Sequence, residues 1–199
     1  MPQYARYFIW TDKENPTEED FRRAGQNDYN RYVISDTFLQ GKLKSIRATR
    51  ALEIGCGIGR VTEFLAQDFT TVYGVDISRE MILRAKERLS LPGLVFLEGD
   101  GLHLPVPDSA VDFVFSFIVF QHMPSLDVVV SNLKETYRVL GEHGVAKIQV
   151  RGAEVDKKAW FYGVSFSPSH IKTVVEEIGF KTMRIEHETN RHLWCLLQK

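Results

Sequence analysis

The segment Ala51-Leu-Glu-Ile-Gly-Cys-Gly-Ile-Gly-Arg60 narrows the fold more than any other part of the chain. Four residues suited to a short strand run into three alternating glycines, and Arg60 to Gln67 then carries a helical pattern. Glycines at a strand's carboxyl end let the backbone turn sharply and approach a ligand closely, and the following helix offers unpaired N–H groups at the same place. The next apolar run, Thr71 to Val75, is β-branched and ends at Asp76, completing one strand–helix–strand unit. A carboxylate in that position suits the two hydroxyls of a ribose. Taken together these residues read as a nucleoside site; the plain alternative is that the glycines only permit a tight turn and Asp76 is a solvated loop acid.

The same alternation continues, as expected for parallel strands joined by covering helices. Ser78 is a credible N-cap for a helix over Arg79 to Leu89, and Pro92-Gly93 turns the chain into a strand over Leu94 to Glu98. Val111 to Ile118 is almost wholly apolar and reads as a central strand beside the first, buried on both faces. A helix over Ser131 to Leu140 and a strand over Val145 to Val150 follow. Ser167-Pro168 opens a helix that Gly179 closes. Lys181 to Glu188 and His192 to Gln198 are then separated by three residues only, too few for a crossover and right for an antiparallel hairpin. At the other end, Pro16-Thr17 before Glu18, Glu19 and Asp20 marks a helix start, and Tyr29, Tyr32 and Val33 share a face of a second helix. The expected fold is α/β: a three-layer Rossmann-like sandwich on a mostly parallel seven-stranded sheet with one antiparallel strand in the C-terminal hairpin. Residues 1–47 are expected to form a helical cap and residues 48–199 the cofactor-binding domain.

Bulk properties exclude several classes. The 25 basic and 26 acidic side chains of the 199 residues leave a formal charge of −1, so no global field favours nucleic acid or an acidic membrane surface. No apolar run is long enough for a membrane span, and the first residues lack a signal-peptide pattern. Two cysteines, Cys56 and Cys195, suit a reducing compartment, and the cytoplasm is the expected location. His103, His143, His170, His187 and His192 are scattered without metal-ligand spacing, so no metal is expected.

The charges beside the glycines separate two nucleotide chemistries. A dinucleotide fingerprint needs its third glycine at position 60, where this chain has Arg60. Glu53 repels a diphosphate but suits an ammonium group, and Arg60 suits a carboxylate. The implied ligand ends in a zwitterion, which argues against the rival NAD(P)-dependent oxidoreductase.

With these residues the chain resembles the class I S-adenosylmethionine-dependent methyltransferases, in particular those with a methyltransferase type 11-like domain. Glu53-Ile-Gly-Cys-Gly-Ile-Gly59 is similar to the family's first motif, Asp76 to its ribose-binding acid, and Gly99-Asp100-Gly101 to its adenine-contacting segment. Asp112 to Pro124 resembles the fourth motif, which leads past the methyl group to the acceptor. The resemblance implies S-adenosyl-L-methionine as cofactor, with Glu53, Gly55, Cys56, Gly57, Gly59, Arg60, Asp76, Ile77, Met81, Asp100, Gly101, Leu102 and Phe117 around it. Asp100 would accept from the adenine amino group, with the backbone of Gly101 or Leu102 against the ring.

Gly-Ile-Gly-Arg-Val-Thr and the histidine after the fourth strand are most similar to protein N-terminal methyltransferases. Those enzymes carry an aspartate-asparagine pair after the fifth strand where this chain has Gln149-Val-Arg-Gly152, so a peptide substrate does not transfer. His122 is the candidate general base for an amine or hydroxyl acceptor; its alternative is a structural cap beside Met123-Pro124. Tyr4, Tyr7, Phe8, Trp10, Tyr29 and Tyr32, with Trp160, Phe161 and Tyr162, either wall an acceptor pocket or pack ordinarily. The expected acceptor is a small, partly apolar molecule. A protein or peptide amine methyltransferase and a non-catalytic, methyltransferase-like cofactor-binding subunit are the remaining alternatives, and oligomeric state is not legible.

Overall fold

Near-continuous apolar strands need cover on both faces of their sheet, and the strands here divide their side chains between two cores. In the computed structural model, which describes residues 17–152, 163–189 and 191–199, the strands are β1 Arg50–Ile54, β2 Thr71–Asp76, β3 Leu94–Glu98, β4 Val111–Ser116, β5 Leu140–Arg151, β6 Lys181–Thr189 and β7 His192–Gln198. They form one seven-stranded sheet in the order β3-β2-β1-β4-β5-β7-β6. β7 runs antiparallel to both its neighbours, and the remaining pairs are parallel. The strand order reverses between β1 and β4, which opens a crevice at the carboxyl ends of those strands.

Leu52, Val114, Ile148 and Leu197 face one layer, built from α5 Leu126–Val139 and α6 Pro168–Ile178. Ala51, Phe113, Phe115, Trp194 and Leu196 face the other, which holds α3 Thr62–Asp68 and two preceding helices, α1 Glu18–Tyr29 and α2 Thr37–Ser45. The amphipathic α4 Arg79–Arg88 meets Cys56 and Phe96 with Ile82 and Ala85. This is the expected three-layer Rossmann-like sandwich, with the reversed strand in the terminal hairpin.

Local chemistry sets the helix ends. Thr17 and Asp20 form a reciprocal capping box on α1, Ser78 accepts from the Met81 amide, and Gly179 closes α6 at φ 115°, a left-handed value that glycine alone adopts without strain.

Several boundaries depart from the sequence reading. Tyr29, Tyr32 and Val33 do not belong to a separate second helix: α1 runs on through a π turn, Asn30–Ile34, and all three side chains are buried. α3 begins at Thr62 rather than Arg60, because the glycine turn continues through Val61. α5 begins at Leu126, five residues before Ser131; Ser125 caps it, and the β-branched run Val128-Val129-Val130, weak in helix propensity, is carried by packing. β5 follows at once from Leu140 instead of starting at Val145, with residues 141–144 bulging between the pairs Val111↔Leu140 and Phe113↔Val145. β4 stops at Ser116, two residues short of Ile118.

Where the first helices meet the sheet, one charged group is buried on purpose. Lys147 of β5 donates from Nζ to the Tyr32 carbonyl at 2.7 Å and to Asp36 Oδ2 at 2.7 Å, with both side chains about 95% buried. Asp36 also caps α2 and pairs with Arg184. Burial alone would raise the Asp36 carboxyl, but hydrogen bonds from Lys147 and the Leu39 amide hold it below the usual carboxylate range. No helix among the described residues is long and apolar enough to cross a membrane. Removing Asp36 strands the Lys147 ammonium, so Asp36→Ala is expected to cost about 3 kcal/mol or more in urea unfolding, while Lys147→Met costs distinctly less.

Candidate active site

The site is assembled where β1 and β2 end. The loop after β1 gives three successive amides to the end of β2: Gly55 N and Cys56 N donate to the Val75 carbonyl at 2.7 and 3.0 Å, and Gly57 N to Asp76 Oδ2 at 2.9 Å. The other Asp76 oxygen accepts from the Ser78 amide at 2.9 Å. Gly55, Gly57 and Gly59 all take positive φ, 74°, 55° and 85°. A Cβ on Gly55 would stand 2.2 Å from Val119, beyond β4, so only a bare backbone fits between the two strand ends.

A cavity of about 660 Å³ lies over this loop. Glu53, Gly55, Cys56, Gly57, Arg60, Asp76, Ile77, Met81, Asp100, Gly101, Leu102, Phe117 and His122 all line it. Gly59 does not. Its absent side chain instead clears Leu89 and Phe96, 2.7 and 3.1 Å from where a Cβ would sit, so it serves close packing of the loop against α4 and β3. The Cys56 thiol is buried among Ile82, Ala85 and Phe96, and burial pushes it well up.

Glu53 and Arg60, expected as a facing pair of charges, have partners of their own. Glu53 accepts from the Thr62 hydroxyl in a buried setting. Desolvation pushes its carboxyl up to about 8, reinforced by Asp76 and opposed by Thr62 and Arg60. Arg60 is buried, its Nη1 paired with Asp28 of α1 and its guanidinium 5.8 Å over the Phe117 ring. Its Nε is buried with no hydrogen-bond partner among the described residues.

At the far end, Asp100 is taken up by its own loop: Oδ1 accepts from the Leu102 and His103 amides at 2.8 and 2.6 Å, and Oδ2 meets His103 Nδ1 at 2.8 Å. The His103 ring holds the exposed carboxyl below its usual range. His103, scattered among the histidines in the sequence, is exposed at the cavity rim beside Asp100. Sequence reasoning missed Asn132, whose amide donates to the Gly101 carbonyl at 2.8 Å and fixes that turn from α5. A lone asparagine on the buried stripe of Val129, Leu133 and Thr136 was the available signal.

On the acceptor side the chain leaves β4 through Phe117 and Ile118. Ile118 has φ 61°, a costly conformation for a β-branched residue, and its amide donates to Gln149 Oε1 at 3.3 Å. Gln149 is itself held by Glu188 of β6 at 2.5 Å. His122 follows on a 3₁₀ turn, Phe120–His122, and is exposed to the cavity. Gln121 links it to the last strand: the Gln121 amide nitrogen is 3.1 Å from His122 Nε2, and its oxygen is 2.6 Å from His192 Nε2. Phe117 lines the cavity, whereas Phe120 is buried in the core. Tyr29 and Tyr32 also belong to the core, while Tyr4, Tyr7, Phe8, Trp10, Trp160, Phe161 and Tyr162 lie outside the described residues. No metal-binding cluster occurs among the described residues.

The cavity's chemistry fits an adenosyl-amino-acid ligand. Asp76 retains acceptor capacity for a ribose, Met81 and Leu102 offer apolar surface to a base, and Arg60 brings an unpartnered Nε to the end where Glu53 is buried. The raised Glu53 carboxyl makes a separate prediction for the ligand-free protein. The folded state keeps a proton that the unfolded chain releases above about pH 4.3, so that stability is present in acid and lost as pH rises through 8. Glu53→Gln should therefore gain stability over the native sequence between about pH 5 and pH 9, by roughly a few kcal/mol of unfolding free energy from urea titrations. Parallel profiles would show that Glu53 is ionised throughout.

Comparison with known proteins agrees with this geometry. Residues 52–148 match the family model described as a methyltransferase domain. A methyltransferase from Streptomyces halstedii, GfsG, is 29% identical over 155 residues, covering 74% of this chain and 52% of that protein. A fatty-acid O-methyltransferase from Mycolicibacterium smegmatis is 32% identical over 120 residues, 59% of this chain and 43% of that protein. The chain thus spans about half the length of these curated relatives. A solved S-adenosylmethionine-dependent methyltransferase from Aquifex aeolicus superposes with a TM-score of 0.64 at 19% identity, covering 90% of this chain and 97% of that one. Residues 52–148 thus match a methyltransferase domain, and the chain has the fold of solved S-adenosylmethionine-dependent methyltransferases.

Proposed function

We propose that the chain transfers a methyl group from S-adenosylmethionine to a small, partly apolar acceptor, with Asp76, Met81 and Leu102 holding the adenosine part and Arg60 and Glu53 the amino-acid part. The observation that carries this reading is the single cavity running from Asp76 to Met123, whose acceptor side is walled by Phe117, Ile118, Val119, Met123 and Pro124. Its volume of about 660 Å³ is in the range of small-ligand sites. The bound sulfonium supplies an activated methyl group, so the chain's own task is alignment and exclusion of water. Ile118, held in its strained conformation by Gln149, shapes the floor on which an acceptor rests. His122, its ring oriented by Gln121, takes the proton from an amine or hydroxyl acceptor.

Two supports favour a small molecule over a peptide amine. Gln149, in the stretch set against the aspartate-asparagine pair of N-terminal methyltransferases, lies within β5 and is committed to the Ile118 amide and to Glu188. The relative from Mycolicibacterium smegmatis is named for O-methylation of fatty acids.

Calorimetric titration with S-adenosylhomocysteine tests the cofactor half. Asp76→Ala should weaken binding by about 1.5–3 kcal/mol, since it removes charge-assisted acceptors and loosens the Gly57 amide; unchanged affinity refutes the ribose assignment. Release of S-adenosylhomocysteine across a metabolite panel, set against peptides and RNA, tests the acceptor half, and turnover on macromolecules alone would sink it. With a hydroxyl or amine acceptor in hand, His122→Ala is expected to lower turnover about a hundredfold while leaving S-adenosylhomocysteine affinity within about twofold. Undiminished turnover would make His122 structural.

A further inference from the structure

The inner face of α1 touches cavity-lining residues one after another. Phe21 is fully buried against Ile58 and Met81. One turn later, a Cβ on Gly25 would stand 2.1 Å from the Arg60 carbonyl, so helix backbone lies directly on the loop after β1. Asp28 then pairs with the Arg60 guanidinium. The π turn re-aims the continuing helix so that Tyr32 lies on Phe117, with ring centroids 4.7 Å apart. Phe21, Gly25 and Asp28 stand at i, i+4 and i+7, a single helical face. Met81, Arg60 and Phe117, the residues they and Tyr32 reach, all line the cavity.

Asp28 is the charged member of this face, and it acts on a side chain that needs holding. Arg60 has two carboxylates within its electrostatic reach, Asp28 and Glu53. Its long side chain has many rotamers, and a ligand that must order it loses affinity for doing so. With Nη1 held by Asp28 and the plane of the guanidinium over Phe117, the orientation of Arg60 is set before any ligand arrives. Asp28 engages Nη1 alone among the guanidinium nitrogens, so Arg60, which lines the cavity, keeps donors for a ligand carboxylate.

We infer that Asp28 is a positioning residue of the cofactor site: from the N-terminal helix it presents the Arg60 guanidinium to the carboxylate of the cofactor's amino-acid tail. The inference rests on the reading of Arg60 given above and adds to it a residue far away in sequence, through which α1 becomes part of the binding site.

Two ligands separate this role from a merely structural one. S-adenosylhomocysteine carries the amino-acid tail, whereas 5′-methylthioadenosine keeps the adenosine and sulfur and lacks it. Both are titrated calorimetrically into the full chain and into Asp28→Ala, Asp28→Asn and Arg60→Met. Asp28→Ala should weaken S-adenosylhomocysteine about five- to tenfold and leave 5′-methylthioadenosine within about twofold, and Asp28→Asn, which still offers an oxygen to Nη1, should restore most of the loss. An equal loss for both ligands, or tighter binding of S-adenosylhomocysteine, overturns the proposal; unaltered methylthioadenosine affinity reports that the variant is folded. If Arg60→Met discriminates between the ligands and Asp28→Ala does not, Asp28 is excluded while the role of Arg60 stands. If Arg60→Met fails to discriminate, the assignment of Arg60 falls and that of Asp28 falls with it.

Discussion

The site depends on one clasp: three consecutive amides of the glycine loop, Gly55, Cys56 and Gly57, are spent on the end of β2, two on the Val75 carbonyl and one on the Asp76 carboxylate. A parallel pair of strands has no tight turn to fix the relative position of its carboxyl ends. Here the loop after one strand is tied to the residue ending the next, and the positive-φ glycines are what allow it. Asp76 thereby has two tasks. It shapes the loop from inside, through Gly57 and Ser78, and still faces the cavity. Val119 presses on Gly55 from β4's side, so all three strand ends that meet at the topological switch point are locked together.

Charge in the site is managed by burial and pairing more than by exposed sign. Glu53 and Arg60 flank the loop with opposite formal charges, yet each is partnered: Glu53 by Thr62, Arg60 by Asp28. A buried carboxyl that rises to about 8 is a proton reservoir when alone and an anion when a cation sits beside it. The first helices contribute in kind. Tyr29 binds Asp68, Tyr32 binds Glu188, and Lys147 reaches back to the Tyr32 carbonyl and Asp36, so α1, its π turn and α2 are stitched to α3, β5 and β6 by polar contacts that are buried or partly buried. Such groups leave little freedom to slide, since each misplacement strands a buried polar atom.

How much of this was legible in the sequence varies residue by residue. The glycine loop, Asp76, the N-caps Ser78 and Ser167 and the closing Gly179 were readable because each is local: a backbone conformation or an end-group demand that a particular side chain meets within a few residues. The hairpin and its reversed strand followed from a loop too short to cross over. Gly59 was legible as a glycine but not in its role, because the atoms it makes room for, Leu89 and Phe96, come from α4's end and β3. The early start of α5 was hidden by Val128-Val129-Val130, whose weak helix propensity is overridden by packing.

What the sequence by itself determined was therefore the layer order, the sheet's single reversal and the cofactor end of the site, all consequences of periodicity, glycine geometry and spacing. Only the tertiary structure decided who partners whom across long separations. Asp28 with Arg60, Gln121 between His122 and His192, Gln149 beneath Ile118 and Asn132 behind Gly101 are pairs 30 or more residues apart, apart from the adjacent Gln121 and His122. The physical reason is that a hydrogen bond between side chains leaves no periodic trace along the chain. It exists only once the sheet and its covering helices have brought the two groups together and removed the water that would otherwise satisfy them.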